Sequence, residues 1–448
     1  MDMERVIEEI LQKIVPTEEE RAFVNELMEE LEEIAWEAIE GLGLDVRPYF
    51  VGSLAKDTYL AGDHDVDLFL AFPLDTPIEE LRERGLELGK AIAENLDSHE
   101  VAYAEHPYVR GLYRDVEVDL VPCYDVRDWR DVRTAVDRSI LHTRWVLENI
   151  NGKNDEVRLL KRFLKGIKAY GSEVYVRGFS GYLAEILVIK YGSFREVLSS
   201  AEVMLRGKII DSTGWLRRER ELAMATVERE KEKPLVVLDP VDPRRNVAAN
   251  LSWERFGRFY FKAREFLERP SVEHFFPPEP FSGDYLRLLR EKGTHLLTLL
   301  FEAPEGVDDV VLPQVEKSAR GIARGLDVEG FTVRGHTWGR GFIMFEVERI
   351  ERPGVRLQRG PEFYSEQGKM FYEKYDRVWL VERTLYAERE QEEDIVETLV
   401  RLLERGSVPL GKHLRGPIRE ADILVDFVPK KLEKEAYLFL SRGKTSLK

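Results

Sequence analysis

The sequence predicts an α+β chain of several domains, and three observations carry that prediction. Its 448 residues exceed what one ordinary core organises. Its first 150 residues alternate helix-period and strand-period segments, the pattern of helices laid on a mixed sheet. From residue 151 to about 265 the pattern is mainly helical, and 266–448 returns to mixed strands and helices after a Pro-rich stretch at 270–280 that reads as a linker. Hydrophobic residues at 43% and aromatics at 10% are enough to give each part a folded core.

Taken in order, Thr17 with Glu20 forms a capping-box pair opening a helix that ends near Gly41 or Gly43. Strand-like Asp45 to Val51 runs into Gly52-Ser53, and Leu54 to Leu60 reads as a short helix. Asp65 to Phe72 is a strand. Thr76-Pro77 with Glu79 caps the next helix, which runs to about Asn95. His99 to Glu105, Val109 to Arg114 and Val116 to Pro122 are three further strands. The helical second part is interrupted at Gly178–Gly181 and at Asp239–Pro243. Beyond the linker, Thr294–Phe301, Phe331–Arg334 and Phe342–Ile350 (strands) with Gln314–Leu326 (helix) suggest a ferredoxin-like or RNA-recognition element. A strand at Arg377–Val381, an acidic helix at Glu388–Leu403 and a basic Gly411–Arg415 segment complete the chain.

Several function classes are excluded or disfavoured early. No apolar run approaches the ~20 residues a membrane span needs, so no membrane partner is expected. The single Cys123 rules out an internal disulfide and fits a reducing cytoplasm. The eight histidines and one cysteine show no zinc spacing. A net charge of −17, from 67 basic and 84 acidic residues, counts against a simple nucleic-acid binder. Basic stretches remain at 157–170 (Arg158, Lys161, Arg162, Lys165, Lys168) and 205–220 (Arg206, Lys208, Arg217, Arg218, Arg220), able to hold a polyanion locally. The 34% charged content points to a hot or salty cytoplasm.

The chemistry is concentrated in two acidic strands. Asp is depleted from strands because its side chain competes for backbone hydrogen bonds. Yet Asp65-Val66-Asp67 opens one apolar run, and Glu117-Val118-Asp119 sits in another. Residues i and i+2 of a strand share a face, so Asp65 and Asp67 project together. Asp119 on a neighbouring strand closes a set of three hard oxygen donors suited to Mg²⁺. Glu117 is an alternative third ligand. A bare Asp-x-Asp in so acidic a chain is ordinarily a solvated face; the strand context and the upstream Gly-Ser favour the metal reading. Gly52-Ser53, where the chain leaves a strand for a helix, offers backbone N–H groups and a hydroxyl to a phosphate. Lys56 follows within phosphate reach.

Gly52-Ser53, Asp65-Val66-Asp67 and Asp119 resemble the signature of the polymerase β-like nucleotidyltransferases. The wider set is more discriminating: Glu105–Tyr108 (EHPY), Glu117–Tyr124 (EVDLVPCY), Ala135–Ser139 (AVDRS), Asn154–Lys165 (NDEVRLLKRFLK), Val176–Leu183 (VRGFSGYL) and Asp239–Leu251 (DPVDPRRNVAANL). In this order and spacing the chain resembles the archaeal, class I CCA-adding enzymes (CCA tRNA nucleotidyltransferases), specifically to about residue 265 and more loosely beyond. The resemblance implies a nucleotidyltransferase head (1–150), a helical neck (151–265), and an RNA-binding body and tail (266–448). It implies addition of C, C and A to tRNA 3′ ends from CTP and ATP, with Mg²⁺ as cofactor, in the cytoplasm; a homo-oligomer is left open.

By motif the resemblance assigns Asp65, Asp67 and Asp119 as catalytic metal ligands. It assigns Gly52, Ser53, Lys56, His142, Lys161 and Tyr170 to the nucleotide, with Arg245 tied to base recognition and Ser180 and Tyr182 near the same pocket. The family often has Arg where this chain has Lys56, which keeps the charge but loses bidentate geometry. Taken singly, Lys161 reads as a solvated helix face, His142 as a cap or core histidine, and Arg245 as a brace for the Asp-Pro turn. The rival readings are a poly(A) polymerase-like RNA-tailing enzyme and a non-catalytic RNA-binding relic.

Overall fold

Strand alternation decides where the carboxylates end up. In β2 (Asp65–Phe72), Val66, Leu68, Leu70 and Phe72 join the core beneath the helices, while Phe69 and Ala71 pack on the opposite face. Asp65 and Asp67 share that opposite face by period two. In β5 (Val116–Tyr124), Val116, Val118 and Leu120 likewise point to the helical layer, leaving Glu117, Asp119 and Cys123 on the other side. The computed structural model describes residues 2–103, 107–207, 209–278, 283–391 and 394–441.

The chain divides into two compact units, Met1–Pro278 and Glu279–Lys448. In the first, β1 (Arg47–Val51), β2, β3 (Ser98–Tyr103), β4 (Pro107–Tyr113) and β5 form a sheet in the order β1-β2-β5-β4-β3. Only β2 and β5 run parallel. Preceding the sheet, α1 (Met3–Ile14) buries Val6, Ile10 and Ile14 in a second core; α2 (Glu18–Leu42) packs on the sheet. Thr17 accepts from the Glu20 amide, and Gly43 closes α2 in the left-handed region. The next elements are α3 (Gly52–Ala55), α4 (Ile78–Ala93), α5 (Arg138–Asn149), α6 (Asn154–Gly166) and α7 (Gly181–Tyr191). Gly85 and Gly89 let α4 lie close on the sheet, where added Cβ atoms would meet Pro122 and Val109.

The remainder of this unit is less purely helical than expected. The helices α8 (Phe194–Ser199), α9 (Ala201–Gly207), α10 (Trp215–Arg218), α11 (Arg220–Arg229) and α12 (Trp253–Glu268) surround a small sheet of β6 (Ile209–Asp211), β7 (Val236–Asp239) and β8 (Asp242–Asn246). The interruption read at Asp239–Pro243 is the turn and first strand residues of the β7–β8 hairpin. Residues 270–276 are not a free linker either. Phe275 is fully buried against Phe163, Phe194 and Phe266, with ring centroids 5.4–5.7 Å away.

Two other expectations change. The helix foreseen over Leu54–Leu60 is a single turn, because the carbonyls of Lys56 and Asp57 accept from the Asn154 amide and that of Tyr59 from Arg158. The α4 helix has Pro77 at its N-cap position without a side-chain cap.

In the second unit, β9 (His295–Leu300), β10 (Val333–Gly339), β11 (Phe342–Val347) and β15 (Asp422–Val425) pair antiparallel in the order β10-β11-β9-β15. Helices Asp308–Val328 and Ile395–Glu404 supply the core against this sheet. The succession β9, helix, β10, β11, helix, β15 is ferredoxin-like. A second three-stranded sheet, β12 (Val355–Glu362), β13 (Val378–Val381) and β14 (Thr384–Glu390), is inserted before the second helix. Residues Glu388–Glu390 therefore end a strand, and Asp394 caps the helix by accepting from the Val396 and Glu397 amides. No helix among the described residues is long and apolar enough to cross a membrane.

Candidate active site

The parallel register sets Asp65 opposite Glu117 and Asp67 opposite Asp119 on neighbouring strands. Val51 pairs with Asp67 on the other side, so the chain turns out of β1 directly beside that carboxylate. Gly52 makes the turn at φ +74°, and the Asp67 carboxylate fills the space a Cβ there would take. Burial, then the charges of Asp119 and Asp65, push the Asp67 pKa up to about 6. Burial, then Asp63 and Asp119, also raise Asp65.

Asp119 already has a partner that sequence reasoning did not find. Arg110 lies directly opposite it on β4 and grips it bidentately, Nε to Oδ1 at 2.7 Å and Nη2 to Oδ2 at 2.8 Å. Among the described residues no three Asp, Glu, His or Cys side chains converge tightly enough to enclose a metal ion as they stand. The donors are adjacent, but one is engaged by a guanidinium.

Beside Asp67 opens a cavity of about 310 Å³ lined by Gly52, Ser53, Lys56, His142, Lys161 and Tyr170, among others. Its floor is a buried charge cluster. Glu185 on α7 is fully buried and accepts from Lys56 Nζ at 2.6 Å and from Thr58 Oγ1 at 2.6 Å. Lys161 Nζ donates to the Thr58 carbonyl and Oγ1, both at 3.0 Å, and lies 3.4 Å from Glu185 Oε1. Burial pushes the Lys161 pKa down to about 8. Burial works against the Glu185 carboxylate too, but Lys56 and Lys161 more than offset it and hold its pKa below the ordinary value. Two ammonium groups and one carboxylate leave this cluster one net positive charge, set against the Asp67 carboxylate on the same cavity. The three residues Asn154, Arg158 and Lys161 follow the i, i+4, i+7 rule on α6 and together hold the 56–59 segment.

At the other end, Asp239 is fully buried and organises His142, Tyr182 and Arg245. His142 Nε2 lies 2.9 Å from Oδ2, Arg245 Nη1 2.7 Å from the same atom, and the Tyr182 hydroxyl donates to Oδ1 at 3.2 Å. The His142 and Tyr182 rings stack at 4.0 Å. Burial lowers the His142 pKa, so the imidazole is neutral at pH 7. Burial of Asp239 would raise its pKa, yet its partners bring it well below the carboxylate range. His142 is the largest of those partners, followed by Arg245 and the Val241 amide. The hairpin carrying Arg245 is tied to α5 by Asp242, which accepts from Arg138 at 2.9 Å. Ser180 caps α7 by accepting from the Leu183 amide, and Tyr170 is kept protonated by burial.

The structure thus brings Gly52, Ser53, Lys56, Asp67, His142, Lys161 and Tyr170 to one cavity, while Asp65, Asp119 and Arg245 are not among its lining residues. The EHPY motif falls partly at Glu105 and His106, and the basic stretch at Lys208, outside the described residues. The 157–170 basic stripe is split: Arg158 is 1% exposed and Lys161 3%, whereas Arg162 and Lys165 are partly exposed and Lys168 faces solvent. Glu185 and Arg110 were missed; a lone carboxylate inside the apolar run Gly181–Tyr191 was the available signal for the first.

Fold and site define the chain as a nucleotidyltransferase. Residues 31–142 match the model of the nucleotidyltransferase domain, 155–276 that of the tRNA nucleotidyltransferase second domain, and 292–426 that of the CCA-adding enzyme C-terminal domain. The chain is 68% identical to the CCA-adding enzyme of Thermococcus kodakarensis and 59% identical to that of Pyrococcus abyssi, each comparison covering 100% of both chains. It is 41% identical to the Archaeoglobus fulgidus CCA-adding enzyme over 82% of this chain and 81% of that one. The chain belongs to the CCA-adding enzyme family.

Proposed function

We propose that this protein adds C, C and A to the 3′ ends of tRNA without a nucleic-acid template, taking nucleotides from CTP and ATP and releasing pyrophosphate. The observation that carries the chemistry is the cavity that sets the Lys56–Glu185–Lys161 cluster beside Asp67 and the Gly52 turn. Family membership along the whole chain supports tRNA as the acceptor. In this reading 1–150 is the catalytic head, 151–265 the neck, and 266–448 a body and tail that contact RNA, the Lys412–Arg415 segment included. A cytoplasmic location accords with the single buried Cys123.

Asp65, Asp67 and Asp119 are the donors for a divalent cation, and three carboxylates with room for waters and phosphate oxygens suit Mg²⁺. The raised Asp67 pKa accords with this fit, because burial and the neighbouring Asp119 and Asp65 charges both disfavour its ionised form and a bound cation offsets them. Such an ion, when bound, acidifies an attacking hydroxyl and neutralises phosphate charge. The tRNA 3′-oxygen forms a bond to the α-phosphorus as the bond to the β-phosphate bridging oxygen breaks, and pyrophosphate leaves with that oxygen.

The chain's own residues do the rest. Lys56 and Lys161, fixed by Glu185, face the triphosphate with preset charge and need no reorganisation as charge develops on the leaving group. Ser53 and the Gly52 turn bring backbone close to it. Tyr182 stacked on His142 forms a flat wall for a base, and Arg245, with one Nη on Asp239, keeps other N–H groups for a base edge.

Incubation with Mg²⁺ and tRNA lacking its last three nucleotides, with CTP, ATP or both, followed by sequencing of the ends, tests the proposal. It requires a stop after CC with CTP alone and after CCA with both. Unlimited A tails, or no incorporation by protein that still binds tRNA, would overturn it.

A further inference from the structure

The third carboxylate of the site is already held on both of its oxygens by a protein cation. Arg110 and Asp119 are direct cross-strand partners, and both carboxylate oxygens accept from the guanidinium, at 2.7 and 2.8 Å. Arg110 Nε also lies 3.3 Å from Glu117. Its side chain is 38% exposed and passes over Tyr108 with 5.8 Å to the ring centroid, so it can leave Asp119 without disturbing the core.

We propose that Arg110 is a positioning residue that serves as the resident counter-cation of Asp119. It keeps the carboxylate in register on β5 while the site is metal-free, and is displaced when a divalent cation binds. The proposal rests on the reading of Asp65, Asp67 and Asp119 as metal ligands. Its logic is competition between two cations for one carboxylate's charge. A metal ion on either Asp119 oxygen draws off the charge that the Arg110 bonds depend on, and repulsion between guanidinium and dication weakens both of them. Without Arg110, three neighbouring carboxylates would repel one another in a half-buried site. With it, the site is held together at the expense of some metal affinity. Sequence spacing alone gives a reason for the geometry: Arg110 and Asp119 fall in register across the β4–β5 hairpin, whose turn is Arg114-Asp115.

Mn²⁺ binding to the full chain, followed by electron paramagnetic resonance, tests this directly. Arg110→Ala should bind Mn²⁺ about tenfold more tightly than the parent, the factor corresponding to about 1.4 kcal/mol for a charge-assisted pair. Arg110→Lys, which keeps charge but not the fork, should fall between the two. In EDTA, Arg110→Ala should melt below the parent, and saturating Mn²⁺ should close that gap. A folded Arg110→Ala protein with unchanged or weaker Mn²⁺ affinity overturns the exchange. Should Arg110→Ala fail to fold, the Arg110→Lys affinity decides alone, tighter than parent in support and unchanged or weaker against. Asp67→Asn separates the two readings: if parent and Asp67→Asn bind Mn²⁺ equally, the metal assignment itself fails, and the exchange with it.

Discussion

The carboxylate of Asp67 occupies the space that a side chain on Gly52 would fill, and Gly52 sits at φ +74°, a region L-residues rarely adopt. Backbone and carboxylate therefore approach as closely as they do only because residue 52 has no Cβ. Gly52→Ala should lower nucleotide incorporation about 10²-fold, the loss typical of a displacement near 1 Å at a reacting centre. Binding of tRNA should stay near the parent's; equal loss of both would assign Gly52 a folding role.

The buried Glu185 carboxylate is shared by two ammonium groups, those of Lys56 and Lys161. Replacing it with Gln leaves Lys56 and Lys161 buried against each other, and breaking such a cluster costs about 3–5 kcal/mol. Glu185→Gln should show that loss in denaturant unfolding, whereas a change within experimental error would mean the ammoniums find other partners.

Lys161 also gives stability a pH dependence with a definite sign. Its folded pKa of about 8 lies below the ordinary 10.5, so between those values the unfolded chain holds a proton the folded chain has released. Stability from this residue rises with pH across that window. Subtracting the unfolding free energy of Lys161→Met from that of the parent, from pH 7 to 10.5, should give a difference that grows with pH.

Asp239 gives a dependence of the same sign, in the acid range. Its folded pKa lies below its unfolded one, so its contribution is present above the unfolded value and lost as pH falls through the folded value. Asp239→Asn should be destabilised at pH 7, with the gap to the parent narrowing in acid. A gap independent of pH would show that packing, not charge, sets the cost.

Phe275 marks how far the first unit extends. Its ring completes a cluster with Phe163, Phe194 and Phe266, and truncating a buried Phe to Ala costs about 3–5 kcal/mol. A fragment ending at residue 278 should fold, and one ending at 265 should not.

How much of this was legible in the sequence follows physical lines. The period-two run of Asp65–Phe72 and the capped, periodic Glu18–Leu42 helix could be read because local patterning alone determines them. The β7–β8 hairpin was hidden because Asp-Pro-Val-Asp-Pro is turn chemistry, with Pro243 near the start of a short strand. Glu388–Glu390 read as helix because an acidic run runs on into the periodic segment, and the cap at Asp394 was not weighted. The candidate ligands were visible as residues, but Arg110 on Asp119 and Glu185 between Lys56 and Lys161 are tertiary pairings. Burial cost demands that such partners exist; it does not say which residues they are.

We place nucleotidyl transfer at the Asp67 carboxylate and the cavity beside it. Parent and Asp67→Asn, compared for CTP and ATP incorporation into tRNA lacking CCA and for tRNA binding in the same buffer, test this placement most directly. Asp67→Asn should bind tRNA like the parent and incorporate essentially nothing. Incorporation at the parent's rate by Asp67→Asn would contradict it.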